Sequence, residues 1–136
     1  MKTAVVYYSY TGRTRALAEA AASAEAADLA EIKDKKRPGK FKAYTAGIFS
    51  SIRGKAWPIQ PLGLDLSGYE RIILMSPVWA GSPPPAVNAF LEALSGGKTV
   101  EVRMVSASGE SSCRERVEAK LKARGCSFAG FADIKG

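Results

Sequence analysis

The six residues Ser9, Tyr10, Thr11, Gly12, Arg13 and Thr14 combine hydroxyl groups, a glycine and a cation where a strand gives way to a helix. An apolar, β-branched run precedes them, and a run rich in Ala, Leu, Arg and Glu, which are good helix formers, follows. The N-terminus of a helix offers free backbone N–H groups and the positive end of the helix dipole, and both suit a phosphate. The pattern therefore indicates a phosphate-binding loop. The alternative is an ordinary N-cap at Ser9 or Thr11, which would explain one hydroxyl but not three around a glycine.

The hydrophobic pattern predicts that strands and helices alternate along the whole chain. Predicted strands cover residues 3–8, 27–33, 71–76, 99–106 and 127–134, and predicted helices cover 13–26, 41–52, 86–94 and 113–124. Short buried strands in strict alternation with helices favour a parallel sheet with right-handed crossovers and helices on both faces. We therefore expect one doubly wound α/β domain over residues 1–136, without a final helix after the last strand.

The composition excludes several kinds of chemistry. The chain of 136 residues has no histidine, and its two cysteines, Cys113 and Cys126, do not form a CxxC pair. Metal sites built on His or Cys and triads that depend on His are therefore not expected. No apolar window reaches the length of a membrane span, and the first residues lack a secretory signal, so the predicted location is the cytoplasm.

A basic segment extends from Lys33 to Lys55 in a chain whose net charge is +7. It is either a solvated loop and helix face or a docking surface for an acidic partner or an anionic ligand. Nucleic acid is a less favoured partner, because the sequence has no groove-reading motif or array of stacking residues. Asp34 is the only acidic residue of this segment, and its basic residues are Lys33, Lys35, Lys36, Arg37, Lys40, Lys42, Arg53 and Lys55.

The loops after three central strands are rich in Ser, Thr and Gly. They span residues 9–14, 77–82 and 106–112. In an open parallel sheet, ligands bind outside the carboxyl ends of the strands, where these loops would meet. The first loop is neither a Walker motif nor a GxGxxG fingerprint, and the first strand does not end in the acidic cluster that a phosphate-acceptor receiver domain needs.

All three loops resemble those of the flavodoxin-like FMN-binding family. Ser9-Tyr10-Thr11-Gly12-Arg13-Thr14 is similar to the phosphate loop of flavodoxins, written (S/T)-x-T-G-x-T. Ser76-Pro77-Val78-Trp79-Ala80-Gly81 resembles the loop that holds the flavin ring, and Ser106-Ala107-Ser108-Gly109 resembles the loop at the other ring edge. The resemblance covers almost the whole chain and implies a five-stranded parallel sheet in the order 2-1-3-4-5.

The resemblance implies non-covalent FMN as the cofactor. The first loop would wrap the 5′-phosphate, although Arg13 stands where many flavodoxins carry Asn. Trp79 would lie against the isoalloxazine ring, whereas the alternative reading makes it a core residue. The Ala80–Gly81 peptide would face flavin N5, and a glycine there would let the peptide turn and stabilise the one-electron reduced state.

The resemblance leaves the second face of the flavin ring undecided. The last loop would contact the pyrimidine edge through its backbone, but it lacks the second aromatic residue that the family often has there. The second ring face is then open, or is covered by Tyr10, Trp57 or Tyr44. Cys113, at the start of a helix, has a redox role only if the dipole lowers the pKa of its thiol.

The function implied by the resemblance is electron transfer between redox partners. An FMN-dependent NAD(P)H:quinone-type oxidoreductase is the near alternative, and a flavin-free binding domain is a more distant one. Carriers in this family are typically acidic, so the basic segment between Lys33 and Lys55 implies an acidic partner here.

Overall fold

The computed structural model describes residues 2–136, apart from the side chain of Tyr44. Its strands are β1 (Thr3–Tyr7), β2 (Asp28–Glu31), β3 (Arg71–Pro77), β4 (Thr99–Ser106) and β5 (Ser127–Lys135). All neighbouring strands are parallel, and the order across the sheet is β2-β1-β3-β4-β5. The predicted fold and strand order are confirmed.

The helices lie close to the predicted ranges. They are α1 (Arg13–Glu25), α2, α3 (Pro85–Ala93) and α4 (Arg114–Ala123), where α2 comprises the contiguous pieces Lys40–Lys42, Ala43–Gly47 and Ile48–Ile52. The middle piece of α2 is a π-helical turn, a rare feature that occurs mostly inside α-helices and often at functional sites. Across residues 2–136, every helix is too short or too polar to cross a membrane.

Apolar side chains are buried on both faces of the sheet. On one face, Ala18 and Ala22 of α1 pack over Val5, Ile73 and Val105. The larger cluster lies on the opposite face, under α3 and α4. The residues that these helices and the end of α3 contribute to it are Ala86, Val87, Phe90, Leu91, Leu94, Val117 and Leu121. Burial on both faces makes the sheet a rigid scaffold, and the loops at its carboxyl edge are free to carry binding residues.

Beside α1, the sheet carries ion pairs instead of a second helix. Glu101 Oε2 of β4 lies 2.8 Å from Arg103 Nη2 and 3.7 Å from Arg71 Nη2. Arg71 also pairs with Glu25 of α1 at 3.2 Å. The last element of the described chain is β5, as predicted. On β4 the charged side chains Glu101 and Arg103 alternate with buried apolar ones, and Val105 then joins the cluster under α1.

Candidate functional site

The structure brings the three predicted loops into contact at the carboxyl edge of the sheet. The rings of Tyr10 in the first loop and Trp79 in the second have centroids 5.8 Å apart. The second and third loops are joined by a 2.9 Å hydrogen bond from the Ser112 N–H to the Gly81 carbonyl. The three loops therefore form one continuous rim, as expected for a ligand site in this type of sheet.

The first loop leaves the N-terminus of α1 without a side-chain cap. Gly12 precedes the helix with φ +99°, and its N–H donates to Ser9 Oγ at 3.0 Å. The first backbone hydrogen bond of the helix runs from the Ala16 N–H to the Gly12 carbonyl at 3.2 Å. A Cβ added at Gly12 would meet nothing within 4 Å. Uncapped N–H groups beside open space fit an anion better than they fit the N-cap interpretation.

The cation beside the first loop is Arg37, which the sequence did not single out for this position. Its guanidinium donates to the Tyr10 carbonyl at 2.8 Å and lies 4.5 Å from the centroid of the Tyr10 ring. Arg13 instead donates to the main-chain oxygen of Gly136 at 2.7 Å. Of the remaining predicted phosphate residues, Thr11 is exposed and Thr14 is buried. The positive charge at the loop therefore comes from a residue after β2.

The second loop is a tight two-residue turn with Ala80 and Gly81 at its tip. Trp79 and Ser82 exchange backbone hydrogen bonds of 2.8 and 3.1 Å across it. Ala80 has φ +50° and Gly81 has φ +81°, the combination found in type I′ turns. Gly81 tolerates either orientation of the peptide, but the Cβ of Ala80 restricts how far that peptide can turn alone.

Trp79 is packed edge-on rather than buried in the core. Its ring centroid lies 6.1 Å from that of Tyr8 and 5.8 Å from that of Tyr10, at interplanar angles of 74° and 84°. Ser51 of α2 donates to the Trp79 carbonyl at 2.9 Å. The ring borders a cleft of about 280 Å³, which is lined by Tyr10, Lys40, Ala43, Ile48, Val78, Trp79 and Ala80.

The third loop is held together by Ser106. Its Oγ accepts the N–H groups of Gly109 at 3.0 Å and Glu110 at 3.1 Å. Ala107, Ser108 and Glu110 are exposed. The loop therefore offers backbone and small side chains to a neighbouring ligand, which agrees with the role that the resemblance implies.

A buried hydrogen bond connects the end of β1 to the segment after β2. The Tyr8 hydroxyl donates to Asp34 Oδ2 at 2.6 Å. Burial, and secondarily this bond, raises the pKa of Tyr8 far above its ordinary value. Burial also raises the pKa of Asp34, although the Tyr8 hydroxyl, Arg37 and Lys42 oppose that shift. These residues are 26 positions apart in the chain, so their pairing left no local signal in the sequence.

Trp57 and Cys113 do not join the cleft beside Trp79. Trp57 lies in a separate cleft of about 470 Å³ with Lys35, Lys36 and Lys42, and its Nε1 donates to Ser50 Oγ at 3.2 Å. Cys113 is buried, and burial raises the pKa of its thiol, which favours helix-start packing over a dipole-activated redox role. The side chain of Tyr44 lies outside the described part of the structure.

Solved structures with a similar fold include flavoproteins and a flavodoxin. The chain is similar to a flavoprotein from Lactobacillus acidophilus NCFM that was crystallised in complex with FMN, with 26% identity and a TM-score of 0.80 over 96% of this chain and 91% of that one. The apo-form of the flavoprotein from that organism matches with 25% identity and a TM-score of 0.71, covering 97% of this chain and 92% of that one. Oxidised flavodoxin 2 from Bacillus cereus matches with 22% identity and a TM-score of 0.58, covering 99% and 86%. No protein-family model matches the chain, and no curated protein matches it significantly.

A parallel sheet in the order 2-1-3-4-5 with these three loops at its carboxyl edge defines the flavodoxin-like class of α/β proteins. The solved structures that the chain matches are flavodoxin-like flavoproteins, and one of them holds FMN. The resemblance stated from the sequence is therefore confirmed.

Proposed function

We propose that this protein binds FMN non-covalently at the rim formed by the three loops and carries electrons between redox partners. The observation that carries the proposal is the shape of the rim. An uncapped helix N-terminus after Gly12 lies at one end, and a cleft bordered by Trp79 and by Tyr10 of the same first loop lies beside it. A ligand with a phosphate at one end and a planar ring at the other matches both. The similarity to a flavoprotein crystallised with FMN supports the same cofactor.

The residues of this chain have separate roles in that proposal. The first loop and Arg37 bind the phosphate through N–H groups, hydroxyls and positive charge. Trp79 and the inner residues of α2, Ala43 and Ile48, border the cleft and pack against the ring on one side. The tip of the turn at Ala80 and Gly81 presents peptide groups to the ring edge. The flavin supplies the redox chemistry, and the protein supplies binding, orientation and electrostatics.

The proposed partner is a redox protein with an acidic surface, which docks near the segment between Lys33 and Lys55. The eight cations of this segment support that choice, since opposite charge speeds diffusional encounter. A cytoplasmic location is part of the proposal. Cys113 and Cys126 are both free thiols, which suits a reducing compartment.

The second candidate function is an FMN-dependent NAD(P)H:quinone-type oxidoreductase. The third loop favours it, because residues 106–112 contain no aromatic side chain and leave that side of the ring accessible to a substrate. Such an enzyme would accept hydride directly from a nicotinamide, whereas a carrier exchanges single electrons with proteins.

Flavin retention followed by anaerobic reduction tests the proposal. The protein is mixed with FMN, passed through gel filtration and titrated stepwise with dithionite while its visible spectrum is recorded. Retained flavin bands that pass through a one-electron step support the carrier. Rapid oxidation of NADPH with a quinone as acceptor supports the oxidoreductase. Loss of all flavin on the column contradicts both functions. Trp79→Ala should weaken retention, while Trp57→Phe, in the separate cleft, should leave it unchanged.

A further inference from the structure

One face of α2 exposes three large apolar side chains. Phe41 is 83% exposed, Phe49 60% and Ile52 49%. Among the described residues, the one other large apolar side chain with comparable exposure is Leu29 on β2, which is 38% exposed. Single exposed apolar residues are ordinary, but several on one short helical segment mark an interaction surface. Phe41, Phe49 and Ile52 are called the α2 outer face below.

The opposite face of α2 is built from small residues and packs on the candidate site. Ala43, Gly47 and Ser51 recur every four positions and are all buried. A Cβ added at Gly47 would lie 2.8 Å from Trp79 Cζ3, and Ser51 donates to the Trp79 carbonyl. The α2 outer face is thus separated from the cleft by one helix, whose diameter is about 10 Å.

Positively charged residues lie next to the α2 outer face. Lys40, Lys42, Arg53 and Lys55 flank it in the sequence, and the Arg53 guanidinium lies 4.5 Å from the centroid of the Phe49 ring. Lys40 and Lys42 border the clefts beside Trp79 and Trp57. Within residues 2–136, no cation of the basic segment takes part in an ion pair. An apolar surface with unpaired cations beside it is complementary to an apolar patch bordered by carboxylates.

We propose that the α2 outer face is the contact centre for a one-electron redox protein with an acidic surface, an inference that rests on the proposed function. The apolar side chains supply affinity once they are desolvated, and the cations supply encounter rate and orientation. In the productive complex, the partner's reduced redox centre loses one electron and the bound FMN gains it. No bond between the two proteins forms or breaks. Docking here places the partner one helix away from Trp79.

Stopped-flow reduction of the FMN-loaded protein by a reduced acidic plant-type [2Fe–2S] ferredoxin tests the proposal. The variant Phe41→Ser/Phe49→Ser/Ile52→Ser should lower the second-order rate constant about tenfold or more at both low and high salt, since its loss is apolar. Leu29→Ser is the matched control, because it also removes an exposed apolar side chain but lies on β2. Arg53→Glu/Lys55→Glu should slow the reaction strongly at low salt and little at high salt.

Two further measurements separate failure of docking from failure of the proposed function. Retention of FMN on gel filtration and the rate of reduction by dithionite, which needs no docking surface, should be the same in all variants. If the parent protein loses FMN, the proposed function is wrong. If FMN is retained but the triple serine variant reacts as fast as the parent, or Leu29→Ser slows the reaction equally, the docking inference is overturned. A parent rate that is negligible, or that does not fall as salt increases, overturns it as well.

Discussion

Gly47 lies directly against the ring of Trp79, and a Cβ added at Gly47 would be 2.8 Å from Cζ3 of that ring. Gly47 has φ −64°, so its backbone would accept any residue. Position 47 therefore requires glycine because the ring of Trp79 leaves no room for a Cβ atom. Because Gly47 belongs to the π-helical turn of α2, the contact fixes both the path of the helix and the position of the ring that borders the cleft.

Gly47→Ala should displace Trp79 and weaken FMN binding. Overpacking of this kind costs about 1–3 kcal/mol. Because FMN would need the ring in its original position, binding must overcome that cost, which corresponds to a roughly 5- to 150-fold higher Kd. Fluorescence titration of the apo-protein with FMN measures the change. Gly39→Ala is the control, because a Cβ there meets nothing within 4 Å and needs no unusual φ. Equal affinities for the two variants would contradict the role given to Gly47.

Gly81→Ala should destabilise the protein more than Gly63→Ala. Both glycines have φ +81°, so alanine is strained equally at both positions. At Gly63 the new Cβ meets open space, whereas at Gly81 it would lie 2.5 Å from Ser112 Oγ. Urea denaturation should give a loss of about 1 kcal/mol for Gly63→Ala. The loss should be about 1 kcal/mol larger for Gly81→Ala, because the Ser112 hydroxyl must rotate away and lose its 3.3 Å hydrogen bond to the Gly81 carbonyl. Identical losses would show that the second and third loops do not pack tightly.

Arg37→Gln should weaken FMN binding, and Arg13→Gln should not. The Arg37 guanidinium is bonded to the Tyr10 carbonyl inside the first loop, while Arg13 is bonded to Gly136. For an exposed cation we expect a loss of about fivefold, or about 1 kcal/mol, that shrinks as salt is added. Isothermal titration calorimetry with FMN measures both variants. A larger loss for Arg13→Gln would mean that Arg13 turns toward the phosphate when the ligand binds.

Asp34→Asn should become progressively more stabilising as the pH rises above about 4, the ordinary pKa of Asp. Burial raises the pKa of Asp34, so the folded protein binds this proton more tightly than the unfolded chain does. The stability from that proton is complete below the unfolded pKa and is lost as the pH rises through the folded pKa. Asparagine keeps an oxygen acceptor for the Tyr8 hydroxyl but does not titrate.

Urea denaturation of the apo-protein between pH 4 and 7 measures this difference, and Asp65→Asn is the control with the opposite sign. The Ser67 N–H and hydroxyl lower the pKa of Asp65, so its contribution is present above the unfolded pKa and is lost as the pH falls. Asp65→Asn should therefore become less stable than the parent as the pH rises. Parallel pH profiles for the Asp34→Asn variant and the parent would contradict the raised pKa of Asp34.

The alternation of strands and helices and the positions of the three loops could be predicted because they depend on local patterns, whereas the strand order across the sheet came from the resemblance of those loops to a known family. The run Ile72-Ile73-Leu74-Met75 is apolar throughout, as a central strand must be, and the loops carry their Gly and hydroxyl residues in sequence. The edge strand β2 is shorter than predicted, Asp28–Glu31 instead of 27–33.

The contacts that shape the site could not be predicted because they join residues far apart in the chain. Arg13 meets Gly136 across 123 positions, and Tyr8 meets Asp34 across 26. The π-helical turn includes Gly47, which lies against Trp79, and helical propensity does not reflect that contact. Sequence periodicity describes which face of an element is buried, but not which distant side chain it is buried against.

The ion pairs around Glu101 bear on how molecules of this protein would meet in concentrated solution. Arg71 of β3 and Glu101 and Arg103 of β4 form a charged patch beside α1 and stay partly exposed. Stacking of this patch on a second copy would remove the remaining hydration of all three charges. The net charge of +7 adds mutual repulsion. We therefore expect this side of the sheet to oppose self-association.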